Sequence, residues 1–151
     1  MSLKMLSKQL LISALLAAVF SYGSARALDQ QSDDSLVRET IQRYLHGLKF
    51  NDVESLKRAF YPDAKLFFVK KNGSLGQLTQ AEWYEGFKAN AGKEEKGDLG
   101  IASVDITGTT ASVKVEEDYP DSHYTDYVSL LKLNGEWKIV NKVFYARSKP
   151  K

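Results

Sequence analysis

Asp126 is the residue of this chain whose type and position point most directly to acid–base chemistry. It shares one face of a predicted strand with Tyr124, Val128 and Leu130, so we expect its carboxyl group to lie against an apolar surface. A carboxylate is costly in such surroundings unless it is paired, and burial raises the pKa of an unpaired one. Asp126 is therefore a candidate general acid, general base or hydrogen-bond donor to a ligand. A salt bridge to a lysine, or an exposed position near a turn, explains the same pattern without catalysis.

Tyr44 and Asn141 are polar groups that interrupt apolar faces. Tyr44 lies on the apolar side of a predicted helix, where its ring is buried and its hydroxyl needs a partner, either in the core or in a cavity. Asn141 lies within an alternating segment, where its amide is expected to meet backbone or a ligand. The apolar residues predicted to share its face are Trp137, Ile139, Val143 and Tyr145.

Aromatic residues are numerous, with eight Tyr, seven Phe and two Trp in 151 residues. Phe60, Phe67, Trp83 and Phe87 either line a pocket suited to a ring compound or simply fill the core. The predicted ligand-binding set is Tyr44, Phe60, Phe67, Trp83, Asp126 and Asn141.

Several other chemistries are disfavoured by composition. The chain has no cysteine, which excludes thiolate zinc sites, iron–sulfur clusters and cysteine nucleophiles. Its two histidines, His46 and His123, show no metal-ligand spacing. The acidic runs Glu94-Glu95 and Glu116-Glu117-Asp118 are interpreted as solvated faces. We therefore expect no cofactor and no metal.

Two helical segments precede the first predicted strand. Apolar residues recur at helical spacing from Val37 to Leu48, and Asn51 to Glu54 has the pattern of a capping box that opens a second helix. Pro62 ends that helix, and 65–69 is predicted as a strand.

The rest of the chain is predicted as a short helix, a mobile surface loop and antiparallel sheet. Thr79 to Glu82 is a second capping box, which opens the short helix, and 89–98 is the loop. Beyond it the pattern becomes alternating, and Asn134-Gly135 has the composition of a type I′ hairpin turn. The predicted strands cover 99–107, 111–116, 124–133 and 137–147.

The first 27 residues have the features of a cleavable signal peptide. Lys4 and Lys8 precede the apolar run 10–20, which is shorter than the roughly 20 residues of a spanning helix, and Ala25-Arg26-Ala27 has the form of a cleavage site. We expect export to the periplasm or the medium after cleavage behind Ala27. A flexible lead-in is predicted at 28–35, one domain at 36–147 and a tail at 148–151.

Removal of that leader changes the charge of the protein. The leader carries three basic residues and no acid, so the formal net charge falls from +2 to −1. A mature domain without a basic surplus lacks the electrostatic footprint of nucleic-acid binders. We therefore expect no nucleic-acid partner and no stable membrane span.

The order of elements and several segments resemble the lumazine-binding branch of the NTF2-like superfamily. The matching segments are 41–45, 59–64, 125–127 and, most specifically, the hairpin block 130–144. The resemblance implies an α+β cone, in which a curved antiparallel sheet wraps around two to three N-terminal helices and encloses an apolar cavity. It also implies a homodimer formed through the sheet.

Ketosteroid isomerase, an enzyme of the same superfamily, offers a residue-by-residue comparison. Tyr44 falls at the position of its oxyanion-stabilising tyrosine, whereas Phe68 falls at the position of its aspartate base and cannot accept a proton. The second oxyanion donor of ketosteroid isomerase aligns near Ser129, with Asp126 close by. Binding of a small, partly apolar ligand is therefore predicted ahead of catalysis. The alternatives are a cofactor-free lyase or isomerase that uses Asp126 and Tyr44, and a structural dimerisation module.

Overall fold

The computed structural model describes residues 33–150, which contain three α-helices and a six-stranded sheet. Two helices precede the first strand, and the third lies between the second and third strands. Helix α1 spans 33–49, α2 spans Val53–Ala59 and α3 spans Gln80–Glu85. A 3₁₀ turn covers Lys88–Asn90. The signal peptide and most of the lead-in that the sequence predicts lie outside the described residues.

The strands form one curved sheet that is mixed rather than wholly antiparallel. Its spatial order is β2-β1-β6-β5-β4-β3. Every neighbouring pair is antiparallel except β1 and β6, which run parallel. The strand bounds are β1 Phe60–Val69, β2 Leu75–Thr79, β3 Asp98–Thr107, β4 Thr110–Asp118, β5 Ser122–Leu133 and β6 Glu136–Ser148. This architecture confirms the predicted α+β NTF2-like cone.

Helix α1 covers the concave face of the sheet. Its residues Val37, Ile41 and Tyr44 are fully buried, as the helical spacing predicts. They belong to one apolar core with the inward side chains of the sheet, among them Val115 and Val128. The core thus fixes which face of α1 is turned to the sheet.

The two predicted helix starts have different outcomes. Thr79 caps α3 in a complete capping box with Glu82, which confirms that prediction. Helix α2 is capped by Asp52, whose side chain accepts from the Ser55 amide, so the predicted Asn51 cap is wrong. Asn51 has a positive φ of 51° and its amide bonds elsewhere, because the chain turns sharply between α1 and α2.

At the β1 edge the sheet is larger than the sequence predicts, with a longer β1 and an additional strand β2. Strand β1 begins at Phe60, directly after α2, rather than at residue 65. Pro62 is tolerated in it because the β1–β6 register is irregular between Phe60 and Lys65. The alternation of residues 75–79 is too short to predict, yet they pair with β1 as strand β2.

A β-bulge in β6 reverses the predicted facing of the C-terminal strand. Leu130 pairs with Ile139 and Ser129 with Asn141, so Val140 is an extra residue on β6. Beyond it the alternation shifts by one, and Lys142 is turned into the protein. The residues turned outward are Asn141, Val143 and Tyr145, which corrects the predicted face.

No helix among residues 33–150 is both long enough and apolar enough to cross a membrane.

Candidate functional site

A pocket of about 820 Å³ lies between α3, the 94–96 loop and the concave face of the sheet. Exposed charged residues, including Glu94, Lys96 and Asp121, surround its mouth. Two charged residues that are only 4 % exposed, Glu117 and Lys142, also line it. Its aromatic lining residues are Trp83, Phe87, Tyr119, Tyr124 and Phe144. The pocket thus combines flat apolar walls with a few buried polar groups, as ligand sites do.

The Lys142 ammonium is held by aromatic rings and by two hydrogen bonds. Its Nζ lies 5.3 Å from the ring centre of Tyr44, 5.2 Å from that of Trp83 and 4.8 Å from that of Phe144. It donates to Tyr44 Oη at 2.8 Å and to Asp126 Oδ2 at 2.8 Å. An ammonium has three N–H groups, and these hydrogen bonds use two of them, while Lys142 itself lines the pocket.

Asp126 and Tyr44 lie side by side behind the pocket wall. Both are completely buried, and the Tyr44 hydroxyl donates to Asp126 Oδ2. Asp126 is paired with Lys142, so the structure contains the salt bridge that the sequence left as one alternative. Burial, followed by the charge of Asp126 and then that of Glu117, raises the pKa of Tyr44 well above its usual value and keeps it protonated. The two residues position Lys142 rather than contact the pocket.

Glu117 is the second buried acid of the site. Its carboxyl oxygens lie 3.1 Å from Tyr44 Oη and 3.2 Å from Tyr119 Oη. Burial raises the pKa of Glu117 to about 8, against the lowering effect of Lys142 and with a further increase from Asp126. Near neutral pH Glu117 therefore holds its proton. Asp126 Oδ1 is a buried oxygen that accepts no hydrogen bond from the described residues when both acids are ionised. The proton of Glu117 supplies a donor for this oxygen, because the two carboxyl groups are close enough to share a hydrogen bond.

Tyr44 on α1 and Phe60 on β1 pack against Trp83, which lines the pocket. Trp83 lies in the middle, with its ring 5.4 Å from Phe60, 6.3 Å from Tyr44 and 5.2 Å from Phe87, centre to centre. Phe68 also points inward and packs against Phe144 at 5.2 Å.

The structure brings four of the six predicted ligand residues together and separates two. Tyr44, Phe60, Trp83 and Asp126 form one connected group, in which Trp83 alone reaches the pocket surface. Phe67 pairs with Val143 on the convex face of the sheet, because its neighbour Leu66 occupies the inward position. Asn141 also lies on that convex face, beyond the bulge, so both predicted positions are corrected.

Sequence reasoning missed Glu117 and Lys142 for different reasons. Glu117 continues the alternation of Ala111, Val113 and Val115, and that spacing alone placed it on the buried face. Interpreting it as part of a solvated acidic run was therefore wrong. Lys142 carried no such signal, because the bulge that turns it inward is not visible in the hydrophobic pattern.

The loop at the pocket mouth is attached to the turn between α1 and α2. Asn51 Nδ2 donates to Lys93 O and to Glu95 Oε1, both at 2.9 Å, and the Glu95 amide donates to Lys49 O at 2.7 Å. The segment predicted as a mobile loop is thus tied to the helical layer at several points. Its contacts define one side of the pocket mouth.

Fold and site together define an NTF2-like protein with a pocket on the concave side of its sheet. The chain belongs to the family described as "Putative lumazine-binding", whose model matches residues 32–145.

Known proteins support this assignment. The chain is similar to an NTF2-like protein of unknown function from Shewanella baltica OS155, with 25 % identity, a TM-score of 0.71 and coverage of 80 % of this chain and 96 % of that one. A second such protein, from Methylobacillus flagellatus KT, has 28 % identity, a TM-score of 0.68 and coverage of 77 % and 93 %. A curated relative, aldolase FrzH from Cladobotryum sp., is 28 % identical over 121 residues, which are 76 % of this chain and 92 % of that protein.

The raised pKa of Glu117 predicts a specific pH dependence of stability. The folded protein keeps the Glu117 proton up to about pH 8, whereas the unfolded chain releases it near 4.5. The contribution of Glu117 to the free energy of unfolding is therefore complete below pH 4.5, declines between 4.5 and 8 and is lost above 8. The slope from this one proton reaches at most about 1.4 kcal/mol per pH unit.

Glu117→Gln removes that proton equilibrium. We expect urea unfolding from pH 5 to 9 to show a flatter pH dependence for this variant than for the unmodified protein. The matched control is Glu116→Gln on the opposite face of β4, which should retain the slope. Equal slopes in all three proteins would show that Glu117 is ionised throughout this range.

Proposed function

We propose that this protein binds a small, partly apolar molecule in the pocket between α3 and the sheet. The observation that supports this most is the combination of an 820 Å³ pocket, aromatic walls and one N–H of buried Lys142 left for an acceptor. A purely structural module has no need for such a pocket, because filling it with side chains would stabilise the fold.

Ligand binding predicts a gain in stability that depends on the pocket. A compound at a hundred times its Kd should raise the free energy of unfolding by about 2.7 kcal/mol. Thermal unfolding against a library of ring-containing metabolites, followed by titration of Trp fluorescence, identifies and measures it. Phe87→Ala removes one wall and should weaken binding about tenfold, on the scale of a lost aromatic contact.

Tyr61→Ala is the matched control for that test. It also removes one aromatic ring, but an exposed one on β1 that does not line the pocket. Its affinity should equal that of the unmodified protein. The proposal fails if no compound stabilises the protein, or if both variants weaken binding equally.

A second candidate function is cofactor-free lyase or isomerase chemistry in the same pocket. Two observations favour it: the cluster of Tyr44, Glu117, Asp126 and Lys142, and the similarity to a relative named aldolase. Asp126 and Tyr44 are sealed behind the wall, so the groups that meet a substrate are Glu117 and Lys142.

We also propose a homodimer formed through the convex face of the sheet. Tyr127, Val143 and Tyr145 are 55 %, 47 % and 65 % exposed there and lie on the adjacent strands β5 and β6. Clustered exposed apolar side chains of this kind are typical of protein interfaces.

Light scattering should show a dimer at micromolar concentration. Val143→Lys should shift it to monomer, whereas Leu75→Lys, a more exposed apolar position on β2, should not. A monomeric unmodified protein refutes the proposal.

Export is proposed from the leader alone. Expression of the full chain in a bacterium should yield a periplasmic protein whose mass corresponds to a start at Leu28. Protein retained in the cytoplasm with residues 1–27 attached would contradict it.

A further inference from the structure

The loop end of the β1–β2 hairpin presents two apolar side chains to solvent. Val69 and Leu75 pair across the two strands and are 75 % and 69 % exposed, more than any other large apolar residue of the described chain. Pairing of β1 with β6 ends at Phe67, whereas pairing of β1 with β2 continues to Val69. The hairpin tip, residues 69–75, therefore extends beyond the part of β1 that β6 supports.

Hydrogen bonds within the turn hold the hairpin tip in one conformation. The Lys70 amide donates to Ser74 O at 2.9 Å, and the Gly73 amide donates to Lys70 O at 2.8 Å. Asn72 Oδ1 accepts from the amide of Ser74 at 3.1 Å and from its hydroxyl at 2.8 Å. Gly73 has a φ of 82°, which glycine adopts without steric cost. A partner that covers the apolar pair therefore has little backbone to order.

The charge around the hairpin tip is positive. Lys65, Lys70 and Lys71 are exposed, and the segment 64–81 contains no aspartate or glutamate. Within the part of the chain that the structure describes, none of these three lysines has an acidic partner. Residues 28–151 together carry a formal charge of −1, so the hairpin is a local excess of positive charge on an otherwise nearly neutral domain.

An anionic lipid surface is the partner that this combination fits. A specific protein interface buries roughly 1,000 Å² or more, which is more than two apolar side chains and a short turn supply. A membrane surface has no such minimum, because any apolar group that reaches the boundary of the acyl chains gains from burial. Lysines beside that group add attraction to anionic headgroups and keep their ammonium groups in the polar layer.

We propose that the hairpin tip is a docking site for the surface of an anionic lipid bilayer. Val69 and Leu75 enter the headgroup layer, and Lys65, Lys70 and Lys71 contact the lipid phosphates. The contact is peripheral and requires no spanning helix. It depends neither on a ligand in the pocket nor on the proposed dimer, so each of the three proposals stands or fails separately.

Co-sedimentation with vesicles measures the membrane contact. The probes are vesicles of phosphatidylglycerol and phosphatidylcholine in equal parts, and vesicles of phosphatidylcholine alone. We expect stronger binding to the anionic vesicles, which falls in about 0.5 M NaCl because salt screens the attraction. The double variant Lys70→Gln, Lys71→Gln should lower partitioning about 25-fold, at about fivefold for each lysine. The double variant Val69→Ser, Leu75→Ser should lower it about tenfold or more.

The double variant Lys57→Gln, Lys88→Gln is the matched control. It removes the same charge from exposed lysines that precede β1 and follow α3, each paired with a glutamate three residues away. Its binding to anionic vesicles should equal that of the unmodified protein. An equal loss in both lysine variants would show attraction by overall charge and would overturn the docking site.

A dye at residue 75 reports directly whether the tip enters the lipid. The chain has no cysteine, so Leu75→Cys provides a single thiol for an environment-sensitive fluorophore. Anionic vesicles should shift its emission to the blue, whereas the same dye on Thr109→Cys, in the exposed β3–β4 turn, should remain in water. Residues 1–27, where they are retained, are the same in both proteins and cannot cause this difference.

Three results would overturn the proposal. The first is no binding to anionic vesicles, and the second is binding without a blue shift at residue 75. The third is loss of the dimer in Leu75→Lys, which would assign the tip to the contact between two copies of the chain.

Discussion

The ion pair between Lys142 and Asp126 is the interaction on which the rest of this structure depends. Two charges that are almost completely removed from water are costly, and they are tolerated only when their remaining donors and acceptors find partners. Tyr44 provides one partner and Glu117 lies close enough to provide another. The four residues come from α1, β4, β5 and β6, so satisfying the pair ties the helical layer to the middle of the sheet. The pocket lies where this polar group meets the aromatic walls.

The extra residue Val140 determines how both faces of the sheet are used. By shifting the alternation of β6, it turns Lys142 and Phe144 toward the pocket and Val143 and Tyr145 toward the convex face. A regular strand would have placed the lysine outside and two apolar residues inside. One backbone irregularity therefore supports both the candidate ligand site and the proposed dimer face.

The buried acid of this pocket lies on a different strand from the base of ketosteroid isomerase. Phe68, at the position of that enzyme's base, packs against Phe144, which lines the pocket. An acid is nevertheless present in the pocket, on β4 rather than β1. The pocket thus has no base at that enzyme's position, but it contains a titratable acid, Glu117, at another. The position of Glu117 gives a physical basis for considering catalysis alongside binding.

Local patterns in the sequence determined the α+β class, the burial of Tyr44 and Asp126, the Thr79 cap and the Asn134-Gly135 turn, because each depends on neighbouring residues or on a regular period. The alternation of buried and exposed residues along β4 also indicates that Glu117 faces the core. Tertiary structure alone decided that Lys142 joins Asp126 and that Phe67 and Asn141 face away. Those outcomes depend on a register shift and on the pairing of strands far apart in the chain, and a bulge inverts every side chain beyond it without changing the composition that a sequence displays.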